Sequence, residues 1–150
     1  MISTIGLADI YYPMTAEIYY AENKQDELGV IQKTWVFDRV VKCSAISSMS
    51  DKTLTGELKN SGPIFQYNSD VLFRTNENIQ KKKNGTVFPI TEILITNIKD
   101  SAGTTVWLEK NNKSTQYEIR TLAPSYNAFH EVEFYRGYIA RSGKQIEVLY

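Results

Sequence analysis

The sequence predicts an all-β protein: a small antiparallel β-barrel or sandwich with long loops and an extended N-terminal arm. Three observations predict it. No long stretch places apolar residues at i, i+3, i+4 and i+7, the spacing an amphipathic helix needs. The chain is rich in side chains that favour a pleated surface, with ten Tyr, six Phe and two Trp among many Ile, Val and Thr. Turn-forming clusters recur at Asp26–Gly29, Asn60–Pro63, Asn84–Gly85, Asp100–Gly103, Lys110–Lys113 and Ser142–Gly143. Short strands between such clusters are the pattern of a sandwich or barrel.

The elements follow in order. Residues 1–14 are mildly apolar and end in Tyr11, Tyr12 and Pro13, which predicts an arm ahead of the first strand. Over 15–20, Ala16, Ile18 and Tyr20 share one face, the period of two of a half-buried strand. Further strands are predicted over 30–37, 39–46, 70–74 and 86–96. Over 104–109, Val106 and Leu108 lie on one side and Trp107 on the other, so the Trp107 face is expected to be covered by a neighbouring subunit. Over 115–122, Tyr117 and Ile119 oppose Gln116, Glu118 and Arg120. Strands over 131–141 and 145–149 close the chain, the last aligning Ile146, Val148 and Tyr150. The order predicts a meander with hairpin turns at Asp100–Gly103 and Lys110–Ser114. Two polar stretches, 47–69 and 75–85, predict long loops that are functional or ordered by neighbours.

Composition narrows the function. A length of 150 residues suits one domain, 1–150, and a zero net charge from 17 basic and 17 acidic side chains argues against nucleic acid as the main partner. No apolar run approaches the roughly 18 residues of a membrane helix, so no membrane partner is expected. No secretory leader is visible at the start, so an intracellular protein or part of a particle is expected. Cys43 is the single cysteine, which excludes an internal disulfide and a multi-cysteine zinc site. It is expected to be a buried, inert thiol. No metal site, phosphate-cradling glycine loop or cofactor motif is present, and no cofactor is expected. His130 and Glu131 are neighbours whose side chains diverge on a strand, so His130 is expected to be structural or at a loop-to-strand junction. Glu131 and Glu133 share a strand face, as a carboxylate pair for hydrolysis would; a solvated face is the simpler account, and no enzyme is expected.

Two features ask for partners. Lys81, Lys82 and Lys83 precede the turn pair Asn84–Gly85, placing positive charge at a loop tip that could face DNA phosphates. The tyrosines are too many for one small core and suit protein interfaces. Tyr11, Tyr12, Trp107 and Tyr150 are the candidate interface residues, with the loop from Ser47 to Asn68 and the strand from Gln145 to Tyr150.

The segments Ala16–Tyr20, Asp26-Glu-Leu-Gly29, Thr34-Trp35 and Val41–Ile46 resemble the start of the small head–tail joining proteins of tailed bacteriophages. Leu72-Phe-Arg74, Phe88–Ile93 and Phe129–Phe134 through Ile139-Ala-Arg141 continue the likeness. The resemblance implies a β-barrel that assembles as a neck ring of six or twelve copies, as head-completion, stopper or adaptor protein. Its partners would be portal or adaptor and tail ring proteins, with packaged DNA in the channel and the virion as its location. The segment 47–69 has no counterpart in that pattern, which leaves the choice of ring open. Another β-rich tail or baseplate subunit, and an OB-like module for single-stranded nucleic acid or glycan, are the alternatives.

Overall fold

A computed structural model of the chain describes residues 11–47 and 70–146. Six strands form a closed barrel in the order β1-β2-β3-β6-β5-β4. They are β1 (Met14–Gln25), β2 (Ile31–Ser47), β3 (Val71–Thr75), β4 (Ile93–Lys99), β5 (Tyr117–Tyr126) and β6 (Val132–Arg141). Every neighbouring pair is antiparallel. An OB-fold has five strands. Most of the expected arm and the 47–69 loop, and Tyr150, lie outside the described residues.

Alternation builds the core. Ala16, Ile18 and Tyr20 of β1 point inward with Val41, Cys43 and Ala45 of β2, Phe73 of β3, Ile93 and Ile95 of β4, Tyr117 and Ile119 of β5, and Ile139 of β6. Each Ile or Phe so buried contributes about 1.5–3 kcal/mol relative to exposure. Phe73 stands opposite Ala45 on one neighbour and Gly137 on the other, so small residues make room for the large ring. At Gly137 an added Cβ would lie 1.8 Å from the Thr121 carbonyl oxygen, because the β5 backbone bulges toward it at Arg120.

Five tight turns share one geometry, at Asp26–Val30, Lys82–Thr86, Asp100–Thr104, Glu109–Lys113 and Asn127–Glu131. In each, the first residue's N–H donates to the fifth residue's carbonyl, and the fourth residue's N–H donates back to the first. The fourth residue takes positive φ: Gly29, Gly85, Gly103, Asn112 and His130. This is a type I turn followed by a left-handed residue, a common three-residue hairpin loop. Asp26, Asp100 and Asn127 reinforce it, each Oδ1 accepting from two N–H groups inside its own turn. His130 therefore sits in the turn between β5 and β6, with φ of 61°. Glu131 is the last turn residue, and the register skips Glu133 at a bulge between Tyr126 and Ser125.

The strand boundaries correct four expectations. The strands expected over 30–37 and 39–46 are one, because an extra residue, Asp38, is absorbed as a bulge where Ile18 pairs with Arg39 and Tyr19 with Phe37. The strand expected over 86–96 starts only at Ile93; Pro89, without an N–H to donate, leads into a short 3-10 turn at Ile90–Glu92. No strand spans 104–109. Two turns at 100–104 and 109–113 leave too little chain between them, and single bridges at Thr105 and Leu108 are all that forms. Gln145 and Ile146 are not a strand either. The buried Gln116 side chain bonds both backbone groups of Ile146, its Oε1 accepting at 2.9 Å and its Nε2 donating at 2.6 Å.

Strand direction sorts the loops. β1, β3 and β5 run one way, so the turns at 26–30 and 127–131 and the segment 76–92 occupy one end of the barrel. The start of β1, the end of β2, the segment 100–116 and the residues after β6 occupy the other.

Two substitutions should move stability in opposite directions. Gly137→Ala should cost about 3 kcal/mol or more, because the methyl group meets fixed backbone. His130→Gly should add about 0.5 kcal/mol, by relieving the left-handed strain less the entropy of the glycine. Urea unfolding of the two variants beside the parent checks both.

Candidate functional site

The end that carries 76–92 holds the sequence's charged loop, and its anchoring starts with Ile79. This side chain is fully buried and joins the core, plugging the barrel mouth. Its carbonyl accepts a 2.5 Å hydrogen bond from the Tyr20 hydroxyl, which also lies 3.3 Å from the Lys81 carbonyl. Tyr20 is itself buried. Burial pushes its phenol pKa up against the opposing pull of Arg39.

Arg39 completes the anchor. Its Nη1 donates to Asp38 at 2.7 Å and to the Tyr20 oxygen at 3.3 Å, and its Nη2 donates to the Asn78 carbonyl at 3.2 Å. Glu77 lies 3.7 Å from its Nε. Desolvation works against this guanidinium, yet Asp38, Tyr20 and Glu77 outweigh it and hold its pKa above the usual value. Asp38, the bulge residue, also accepts from the backbone N–H of Lys83 at 3.2 Å. The barrel's own side chains thus hold the 75–85 loop, which the sequence predicts to be functional or ordered by neighbours.

The lysine run is divided by this anchoring. Lys81 and Lys83 are exposed. Lys82 folds back, its Nζ 5.3 Å from the Phe88 ring centroid and 5.8 Å from that of Tyr20. Asn84 Oδ1 accepts from the Thr86 N–H at 3.0 Å, and Gly85 takes the left-handed position of the turn. Lys81 to Gly85 line a shallow open depression with Arg39, Glu77 and Asn78. Two carboxylates, Asp38 and Glu77, therefore stand beside the cations and weaken the pull on an anion. Sequence reasoning found the lysines and missed Tyr20, Asp38 and Arg39. The available signal was the break in alternation at Asp38, inside an otherwise apolar run.

The other candidates scatter. Tyr11 is exposed and Tyr12 half-buried. Trp107 is at the opposite end. Its ring packs edge-on against Tyr117 at 5.9 Å and rests on the chain's own core, while Val106 and Leu108 face outward. The strand that suggested a covering subunit there does not form, and Trp107 is half-buried within this chain. This strap is tied down by Glu109, which pairs with Arg141 and accepts from the Thr115 hydroxyl at 2.8 Å. Arg141 holds the Glu109 carboxyl below its usual range. Cys43 is fully buried, and burial pushes its thiol up to about 12, so it stays a neutral thiol at physiological pH. Among the described residues no group of three or more His, Cys, Asp or Glu converges as metal ligands.

The same end as the lysine loop carries two ribbons. Past Tyr20, β1 pairs only with β2, because the β4 ladder stops at Ile93. β5 pairs with β4 at just Tyr117 and Glu118, and β6 pairs with β3 only as far as Tyr135. Both hairpins therefore run on beyond the barrel as two-stranded ribbons. Each tip exposes large apolar side chains among polar ones: Leu28 is 89% exposed and Ile31 69% beside Asp26 and Glu27, and Phe129 82% and Tyr126 60% beside His130 and Glu131.

No family model matches the chain, and no curated protein matches it. Among solved structures it is similar to the solution structure of protein SF1141 from Shigella flexneri 2a, at 13% identity and a TM-score of 0.47, over 94% of this chain and 100% of that one.

Tyr20→Phe should leave the barrel folded and loosen the loop. It removes the hydroxyl that holds Ile79 and Lys81, at a cost of about 1–3 kcal/mol. Hydrogen exchange should speed up across 77–88 while the β1–β2 ladder keeps its protection. Unchanged exchange in the loop would remove Tyr20 as its anchor.

Proposed function

We propose that this chain is a structural subunit of a homo-oligomeric ring in the head–tail neck of a tailed bacteriophage, as head-completion or stopper protein. The ring would have six or twelve copies, set between portal and tail proteins around the DNA channel. The motifs from Ala16 to Arg141 that resemble the joining proteins support the assignment to the neck. One structural observation carries the assembly role: the two ribbons that leave the same end of the barrel with large apolar side chains at their tips.

A two-stranded ribbon is marginally stable in water by itself. Its edges offer unpaired backbone groups to another chain. Exposed side chains such as Leu28, Ile31, Tyr126 and Phe129 lose water when a neighbour covers them, at about 25 cal/mol per Å² of apolar surface. A ring uses two different patches on each subunit, and the two ribbons differ in sequence and position. The opposite end of the barrel, with the Trp107 strap locked by Glu109 and Arg141, gives such a subunit a rigid base.

Light scattering of the purified protein over a concentration series, with negative-stain images of the same samples, checks the assembly role. Closed rings are expected, and Leu28→Ser with Phe129→Ser should return them to monomers that still melt cooperatively. A parent protein that stays monomeric at every concentration, or variants that assemble as the parent does, would remove self-assembly from this role.

A further inference from the structure

The outer face of β2, β3 and β6 carries a charge arrangement that the lysine loop does not share. On β3, Val71, Phe73 and Thr75 are buried inside the barrel, which turns Leu72 and Arg74 outward. The register sets Arg74 opposite Ser44 on β2 and opposite Arg136 on β6. Arg136 is exposed. Two guanidinium groups thus occupy directly opposed positions on adjacent strands, which costs energy through like-charge repulsion unless an anion lies between them.

No carboxylate among the described residues relieves it, since the ion pairs formed there go to Arg39, Arg120 and Arg141. The Arg74 Nε is buried and makes no hydrogen bond. Its guanidinium lies 4.4 Å from the centroid of the Phe134 ring. Stacking holds the planar fork in place before any ligand arrives, so less freedom is lost on binding. The hydroxyl residues Ser44 and Tyr138 belong to the same outer face by register, Ser44 beside Arg74 and Tyr138 opposite Leu72. Two guanidinium forks flanked by hydroxyls suit an oxyanion, and phosphate above all.

We propose that Arg74 and Arg136 form a phosphate-binding site that grips the phosphodiester backbone of DNA. This deepens the neck reading and rests on it for the identity of the polymer. It also moves the DNA contact away from Lys81 to Gly85, where Lys82 is committed to aromatic rings and Asp38 and Glu77 stand beside the cations.

The test uses the full chain and a fluorescein-labelled DNA duplex of about 20 base pairs, read by anisotropy across a salt series. The parent should bind in the micromolar range at low salt, without sequence preference. Arg74→Gln with Arg136→Gln should lower affinity about tenfold or more and flatten the slope of log K against log salt by about one to two. Arg136→Gln alone removes an exposed side chain and its repulsion with Arg74, so it should melt no lower than the parent, and should lose several-fold in affinity. Lys81→Gln with Lys83→Gln should change affinity less than about threefold. Parent-like binding by the arginine variants, loss concentrated in the lysine variant, or no binding by the parent overturns the site. So does a change of oligomeric state in the arginine variants with DNA binding intact, which would make the anion a carboxylate of a second copy. Rings that bind no DNA defeat this inference alone; DNA binding through the arginines without rings defeats the assembly role alone.

Discussion

Closure of the barrel depends on a strand of five residues. Among the described residues β3 alone links β2 and β6, and Phe73 at its centre is fully buried. The ring fits because Ala45 and Gly137 flank it across both ladders, and Gly137 in turn admits the Thr121 carbonyl to a distance no side chain would tolerate. One large residue, two small ones and one backbone bulge therefore decide whether the two halves meet. The remaining seam, between β4 and β5, is held by two residue pairs and cannot substitute for it.

That economy in the middle contrasts with length at one end. β1 and β2 extend well past the last residue that β4 can pair, and β5 and β6 past the last that β3 can pair. Burial inside the barrel supplies the stability, which leaves the ribbons free to expose apolar tips that a monomer would otherwise hide. The charged loop between them is fixed by the Tyr20, Asp38 and Arg39 network instead of by a partner. Mobile-looking sequence and rigid geometry coincide there, because a buried hydroxyl and a buried isoleucine do what periodicity alone does not reveal.

The fold class was legible where alternation was clean. Ala16, Ile18 and Tyr20 point inward, as do Tyr117 and Ile119, because a half-buried strand writes its period directly into the residue order. Legibility failed where an extra residue shifted that period. Asp38 split one strand into two on paper, and the turns at 100–104 and 109–113 leave the Trp107 stretch only single bridges. The lysines of the candidate site were visible as a charge run, but their anchors sit 39 to 61 positions away along the chain and leave no mark beside them. The pairing of Arg74 with Arg136 was equally hidden, since register between distant strands follows from closure and from no short motif.

Closure has a consequence for how the chain reaches this state. The β1–β2 and β5–β6 hairpins join residues near each other in sequence, whereas Tyr20 must find Ile93 and Phe73 must find Gly137, each more than sixty positions off. Long-range pairing sacrifices chain entropy before it returns contacts, so it is the slow part of folding a β-protein. The two hairpins are thus the pairings that local zipping favours. Closing the barrel below them needs the distant Phe73 and Gly137 contact, the costlier pairing in chain entropy. Any delay in that closure would leave sticky tips without the core that restrains them, so its speed guards against aggregation.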